Sequence, residues 1–426
     1  MLILTFMTEQ IQWVNAISNR LSLESAIAEV TERVQQQLSA SPDLGFLFIS
    51  SAYASEYPRL VPLILEKVPM SVLIGSGGGG IIGVDTDNQA QEIEGNPALS
   101  LTVAHLPRVD VQAFQISSDE IPDLDSGAQA WTDLTGVSPE QDPDFILLAD
   151  PFFSKVNDLL EGLDFAYPKA KKIGGLASAM TMGMQTGLFY HSPDNDDTAL
   201  IREGIVGVAL SGNNIEVDAI VAQGCRPIGP QYQITQAERN VITEMAEVQE
   251  DGVEQAKPPL QILRELINEL SPQDQELAQN ALFLGIARDE FQLELQQGDF
   301  LIRNLLGVDP KVGAIAVGDR LRPGQRIQFH LRDGNTSAED LEVLLENYQQ
   351  QEKTSFPVGA LLFSCLGRGK ELYGKPNFDS QRFRQAMNQI PLGGFFCNGE
   401  IGPVGNQTFL HGYTSSFAIF RQPKLN

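Results

Sequence analysis

The chain has 426 residues, 42% of them hydrophobic and 20% charged, which is enough apolar material for roughly two or three packed domains and excludes a disordered, collagen-like or disulfide-stapled chain. With 29 Lys and Arg against 55 Asp and Glu, the net charge is -26. Such a field repels phosphate backbones and anionic headgroups, so neither nucleic acid nor a membrane surface is an expected partner.

At the N-terminus, Met1 to Met7 is apolar but has no basic flank and is too short for a signal peptide or a spanning helix, and Met7 is an alternative start. From Ile11, apolar residues at Val14 and Ile17 predict a first helix. After the cap candidate Ser22, the spacing of Leu23, Ile27, Val30, Val34 and Leu38 predicts a second. The run 44–49 reads as a strand buried on both faces, 57–67 as a helix and 71–74 as another buried strand. Strand, helix and strand in so short a span imply a parallel, right-handed unit, and such sheets bind ligands at the carboxyl ends of their strands. At that end stand Gly75, Ser76, Gly77, Gly78, Gly79 and Gly80, followed by Ile81, Ile82 and Gly83.

The pattern recurs. A strand at 145–149 and a helix at 153–163 lead through Lys172 and Ile173 to Gly174 and Gly175. A strand at 358–364 runs into Cys365, Gly367, Arg368, Gly369 and Lys370, and a helix at 380–389 leads to a stretch containing Cys397, Asn398, Gly399 and Glu400. Alternating runs at 99–104, 109–116, 188–190, 205–210, 215–221, 300–306, 312–317 and 326–331 predict antiparallel strands. The Gly- and Pro-rich stretch 223–230 marks a boundary near 230, and the acidic segment 244–256 reads as a solvated loop or helix. Ser271 before Pro272, and Ser337 with Asp340, read as helix starts. The expected fold is α/β mixed (α+β): layered mixed β-sheets with outer helices, two similar halves and repeated strand-helix-strand-glycine units.

Gly75, Gly77 and Gly80 spell a dinucleotide fingerprint, but that motif needs a helix at its third glycine, and Ile81-Ile82-Gly83 reads as strand or loop. No Lys completes a Walker sequence. Consecutive glycines can instead converge their amides on a small anion, or simply permit close packing. Arg368 among glycines can hold a carboxylate through two hydrogen bonds, or pair with one of the abundant acids in a surface turn. Asn398 and Glu400 can meet an ammonium group. Cys365 has no local His, Asp or Lys to activate it, and Cys225 and Cys397 read as small buried hydrophobes. The three cysteines are too sparse for an extracellular disulfide framework, so a reducing cytoplasm is expected. His105, His191, His330 and His411 are isolated, with no metal-ligand spacing, and no Gly-x-Ser-x-Gly occurs.

The chain resembles the FIST family, named for F-box and intracellular signal transduction proteins, over nearly its whole length. The run 392–403 with its Gly-Glu-Ile-Gly-Pro, followed by Phe409-Leu410-His411-Gly412, is similar to the family's C-terminal signature. Phe363-Ser364-Cys365-Leu366-Gly367-Arg368-Gly369 is similar to its Phe-x-Cys-x-Gly-Arg-Gly element. Where relatives read Gly-Cys-Ser or Gly-Cys-Thr before the first glycines, Ser76 and Gly77 stand here. The resemblance implies N-terminal helices over 1–40, a FIST N-terminal domain over 41–230 and a FIST C-terminal domain over 231–426. It implies a stand-alone cytoplasmic sensory protein that binds amino acids or similar small carboxylates and signals through a partner protein, with no catalytic residue, cofactor or metal. The expected ligand site is Gly75, Ser76, Gly77, Gly78, Gly79, Gly80, Gly174, Gly175, Cys365, Gly367, Arg368, Gly369, Asn398, Gly399 and Glu400. The alternatives are a ligand-independent interaction scaffold and a cysteine-dependent enzyme using Cys365.

Overall fold

The computed structural model describes residues 10–424 apart from 182, 184, 194, 250, 251, 254, 290, 291, 293, 296 and 297. The alternative starts Met1 and Met7 lie outside the described residues. The chain forms two compact units, residues 1–221 with 342–426, and residues 222–341.

The first unit is a threefold repeat. Repeat one runs β1 (Gln12–Ser18), α1 (Leu23–Gln37), β2 (Leu44–Ser50), α2 (Tyr57–Lys67), β3 (Val72–Gly78), β4 (Gly80–Val84), β5 (Ala90–Glu94) and β6 (Leu99–His105). Repeat two runs β7 (Asp110–Ile116), α3 (Ala128–Thr135), β8 (Asp144–Ala149), α4 (Val156–Ala166), β9 (Lys172–Leu176), β10 (Leu188–Ser192), β11 (Asn195–Ile201) and β12 (Ile205–Ser211). Repeat three opens with β13 (Glu216–Ala222) and is then interrupted by the second unit. That unit holds β14 (Cys225–Glu238), β15 (Val241–Gln249), β16 (Gly252–Val253), α5 (Pro259–Glu269), α6 (Pro272–Ala278), β17 (Leu282–Ala287), β18 (Phe300–Asp309), β19 (Ala314–Val317) and β20 (Arg326–Arg332). Repeat three resumes through α7 (Gly334–Gln350), β21 (Ser355–Cys365), α8 (Lys370–Tyr373), α9 (Phe378–Ala386), β22 (Leu392–Cys397), β23 (Glu400–Val404), β24 (Gln407–His411) and β25 (Ser415–Pro423).

Each repeat centres on a six-stranded sheet with one parallel pair at its middle, β2–β3, β8–β9 or β21–β22. The three orders are β1-β6-β2-β3-β10-β11, β7-β12-β8-β9-β23-β24 and β13-β25-β21-β22-β4-β5. The last two strands of every sheet are a hairpin lent by another repeat. Repeat one gives β4–β5 to repeat three, repeat three gives β23–β24 to repeat two, and repeat two gives β10–β11 to repeat one. A ring of exchanged hairpins thus binds the repeats together. One core draws Phe46, Phe48, Ile146, Leu148, Phe363 and Phe395 from all three sheets, while α1 with α2 and α3 with α4 bury separate clusters on the outer faces of the first two.

The α+β class, the layered sheets and the outer helices are as the sequence pattern predicts, and the three strand-helix-strand units are parallel as expected. The similarity runs through three repeats in place of two halves. The second unit is a closed antiparallel barrel: β14, β20, β17, β18, β19 and β15 pair in turn, and β15 pairs back to β14. Closure removes the free sheet edge.

The predicted first helix from Ile11 is a strand, β1. The three-residue spacing of Ile11, Val14 and Ile17 fits a helix, but residues 13–18 are buried on both faces. Trp13 stacks on Phe420 at 4.2 Å and Asn15 on the same face donates to Ser100 and Thr102, while Val14 and Ala16 on the other face join the core cluster of α1 and α2. The N-terminal helices expected over 1–40 therefore reduce to α1, capped by Ser22 as predicted. The acidic segment 244–256 is strand through Gln249 and again at Gly252–Val253, and Ile242, Met245 and Ala246 are buried in the barrel while Glu244 is exposed. Helix α7 starts before Ser337, and Asp333 takes the Thr336 amide at 2.8 Å in the capping role expected of Ser337. Ser271 caps α6 as predicted, accepting from the Asp274 amide.

Candidate functional site

The three parallel pairs superpose residue by residue in their hydrogen-bond register. Gly75, Gly174 and Gly394 are equivalent. A Cβ on each would lie 2.2, 1.8 and 2.0 Å from the carbonyl oxygens of Leu47, Leu147 and Leu362 on the neighbouring parallel strand, so only glycine fits. Their antiparallel partners on the lent hairpins are Phe189, Ile401 and Ile82. One step on, Ser76, Gly175 and Phe395 face Leu188, Glu400 and Ile81. Strands β2 and β21 end in Ser50 and Cys365, opposite Gly78 and Cys397, whereas β8 ends one step sooner at Ala149, opposite Leu176, with Asp150 and Ala177 the residues just beyond. At positions that are small or apolar in two repeats, the third places a carboxyl group and a second sulfur.

The carboxyl ends of the repeats are tied together. The Ser178 amide donates to Gly77 O and the Asn398 amide to Leu176 O, both at 3.1 Å, while within repeat three the Leu366 amide donates to Cys397 O at 3.0 Å. Ser178 Oγ donates to Phe396 O and accepts the Gly79 amide at 2.8 Å. A Cβ on Gly79 would strike Leu366, and one on Gly175 would strike Cys397 Sγ. Gly79, Gly175, Cys365, Gly367, Asn398, Gly399 and Glu400 are therefore brought together, with Cys397, Ser178 and Leu366 beside them. Asn398 and Leu366 stand at the surface, Leu366 being 38% exposed.

Glu400 is fully buried. Its Oε2 accepts from the Thr414 amide at 3.1 Å and the Thr414 hydroxyl at 2.8 Å, and its Oε1 has no hydrogen bond of acceptable geometry. Burial pushes this carboxyl up to about 8 against the lowering effect of Thr414, the Arg368 charge and the Cys365 thiol. At neutral pH it is largely protonated. The Cys397 thiol is held well above its ordinary range by burial, then by Glu400 and Cys365.

Arg368 lies behind this group and is fully buried. Its Nε and Nη2 donate to Asp379 Oδ2 and Oδ1 at 2.8 and 3.1 Å, and it also donates to the Tyr373 hydroxyl and the Tyr413 carbonyl. Asp379 also accepts from Tyr373 and Ser415, and although burial alone would raise its carboxyl, the Arg368 charge holds it low. The reading that Arg368 pairs with an acid holds, but the pair is buried and not in a surface turn, because the acid enters from α9. Gly369 turns with φ +69, a conformation that glycine favours, and a Cβ there would crowd the Glu94 carboxylate. Gly75, Ser76, Gly77 and Gly78 stay within β3. None of Gly75 to Gly80 has the left-handed φ an anion nest requires, and the Gly77 and Gly79 amides are taken by Gly187 O and Ser178 Oγ. Gly80 opens strand β4, so the dinucleotide context is absent, as the sequence indicates.

Thr414, Ser178 and Asp379 were not legible as site residues. Thr414 lies two residues beyond the Phe409-Leu410-His411-Gly412 segment of the signature, whereas Ser178 and Asp379 have no local signal. A separate cleft of about 390 Å³ in the same unit, lined by Asn15, Arg33, Asp85, Asn88 and Pro391, holds none of the expected residues.

The FIST N domain model matches residues 43–247 and the FIST C domain model residues 259–403. The chain belongs to the FIST family. FIST domains are signal-transduction domains. This FIST protein is 33% identical over 407 residues to an uncharacterized protein of Mycobacterium tuberculosis, covering 95% of this chain and 98% of the relative. It is 23% identical over 447 residues to an F-box/LRR-repeat protein of Arabidopsis thaliana, covering 91% of this chain and 82% of that one. Among solved structures, a cyanuric acid hydrolase from A. caulinodans aligns over 97% of this chain and 100% of its own, with a TM-score of 0.35 and 8% identity, a likeness too distant to bear on chemistry. Among the described residues of the FIST protein, no helix is long and apolar enough to cross a membrane.

Proposed function

We propose that this FIST protein is a cytoplasmic sensor that binds a small amino-acid-like molecule where the three repeats converge and passes the signal to a partner protein. One observation carries the reading. Of three equivalent positions, two hold Ile81 and Leu188, and the third holds a buried carboxyl whose Oε1 meets no donor of good geometry, the Cys365 thiol being a weak neighbour. A buried polar atom without a partner costs roughly 1–3 kcal/mol, a cost that a ligand N–H would remove. The ligand binds the ionised form of Glu400, whose Oε1 accepts from its ammonium or amide group, and Asn398 contacts its other polar atoms from the mouth. Arg368 supports Glu400 electrostatically and does not touch the ligand.

The test is a thermal-shift screen against neutral amino acids, their amides, and carboxylates that lack the amino group. A compound at 100 times its dissociation constant stabilises the fold by about 2.7 kcal/mol. Shifts confined to compounds with an N–H donor are expected, and equal shifts from the bare carboxylates overturn the assignment of Glu400.

A further inference from the structure

We infer that Cys365 and Cys397 form an oxidation site, a reversible disulfide that joins the parallel strands β21 and β22 at the point where the repeats converge. This goes beyond the ligand reading and does not depend on it. The two cysteines are direct register partners at the ends of the strands. Neighbouring strands lie about 4.8 Å apart and register partners in a parallel pair share a face, which puts the Cα atoms within the roughly 4.4–6.8 Å that a disulfide spans. Two residues earlier in the same row, the Phe363 and Phe395 rings meet at 5.9 Å, so this row of side chains turns to one side. In repeat one the equivalent pair is Ser50 with Gly78, and in repeat two the parallel pairing stops at Ala149 and Leu176 with Asp150 and Ala177 next in sequence, so sulfur occurs on both strands only here. Gly175 leaves the space in which Cys397 Sγ sits, for a Cβ there would come within 2.4 Å of the sulfur.

The two thiols differ in access. Cys365 is 9% exposed and precedes the exposed Leu366, whereas Cys397 is fully buried. An oxidant of the hydroperoxide class therefore meets Cys365 first, and Cys397 resolves the product. Cys365 gives its proton to water, and Glu400, which interacts with both thiols, stands beside it in its protonated form. The thiolate attacks one peroxide oxygen, the O–O bond breaks, and Glu400 gives the leaving hydroxide its proton, releasing water and regaining a proton from solvent. Cys397 sulfur then attacks the sulfenic sulfur, the S–O bond breaks, and the leaving hydroxide carries off the Cys397 proton as a second water. The two thiols lose two electrons and hydrogen peroxide gains them.

The experiment treats the full chain with hydrogen peroxide, denatures it, alkylates the remaining thiols and maps the peptides by mass. The expected result is a Cys365–Cys397 cross-linked peptide lighter by two hydrogen atoms, reversed by dithiothreitol, while Cys225 in the second unit remains alkylated. With Cys397→Ala, oxidised Cys365 stops as a sulfenic acid that dimedone traps. With Cys365→Ser, Cys397 stays reduced. A wild-type map in which Cys365 is oxidised while Cys397 remains alkylatable overturns the inference, as does a Cys365 that survives peroxide unchanged. The wild-type map decides the matter even if a variant fails to fold.

Discussion

At the scale of single residues, Glu400 and Arg368 are both buried charged-residue side chains, but they differ in what surrounds them. Glu400 keeps its proton to about 8 in the folded state and to its ordinary 4.5 when unfolded. The folded state therefore binds the proton that the unfolded chain has released, and stability falls as pH rises through this window, by about 1.4 kcal/mol per unit at most. Glu92 is raised by burial and the Asp379 charge and acts in the same direction, so the effect of Glu400 is read as a difference. Denaturant melts between pH 5 and 8 should show Glu400→Gln gaining on wild type by a few kcal/mol as pH rises. Parallel curves would place the Glu400 titration elsewhere. Arg368→Met leaves Asp379 buried and unpaired, and removing one partner of such a pair costs about 3–5 kcal/mol. The same melts check this, and a loss under about 1 kcal/mol would contradict a buried ion pair. At Gly174, where a Cβ would fall 1.8 Å from Leu147 O, an alanine is expected to cost roughly 3 kcal/mol or more.

At the scale of elements, legibility followed local pattern. The parallel strands β2, β8 and β21 are continuous apolar runs between turn residues, and α1 and α2 show helical spacing, so their sequence specifies them. Strand β1 was misread because three-residue spacing suits a helix equally well, and what decides it is the pairing with β6 more than 80 residues later. Trp13→Ala should cost about 3–5 kcal/mol through the lost stack on Phe420, measured by chemical denaturation. A change under about 1 kcal/mol would mean that β1 is not a core strand. The hairpins β4–β5, β10–β11 and β23–β24 hide for the same reason, since their pairing strands belong to other repeats. In the site, the glycines and Glu400 were visible as local motifs at the ends of predicted strands, while the Arg368–Asp379 pair depended on contacts that no spacing rule contains.

At the scale of the molecule, exchanged hairpins make the three repeats one cooperative body, whereas the inserted barrel has its own closed sheet and its own core. A fragment covering 222–341 should therefore unfold in a single cooperative transition when expressed alone, as followed by circular dichroism. A fragment without a transition would show that the barrel needs the rest of the chain. The threefold frame also turns function into a symmetry question, because it supplies the residue that a merely structural position would carry. The most direct measurement is calorimetric titration of the compound giving the largest thermal shift into wild type and into Glu400→Leu, which installs the residue found at the equivalent Leu188. We expect the variant to fold and to bind at least tenfold more weakly. Unchanged affinity in a folded Glu400→Leu protein would contradict the assignment of the site.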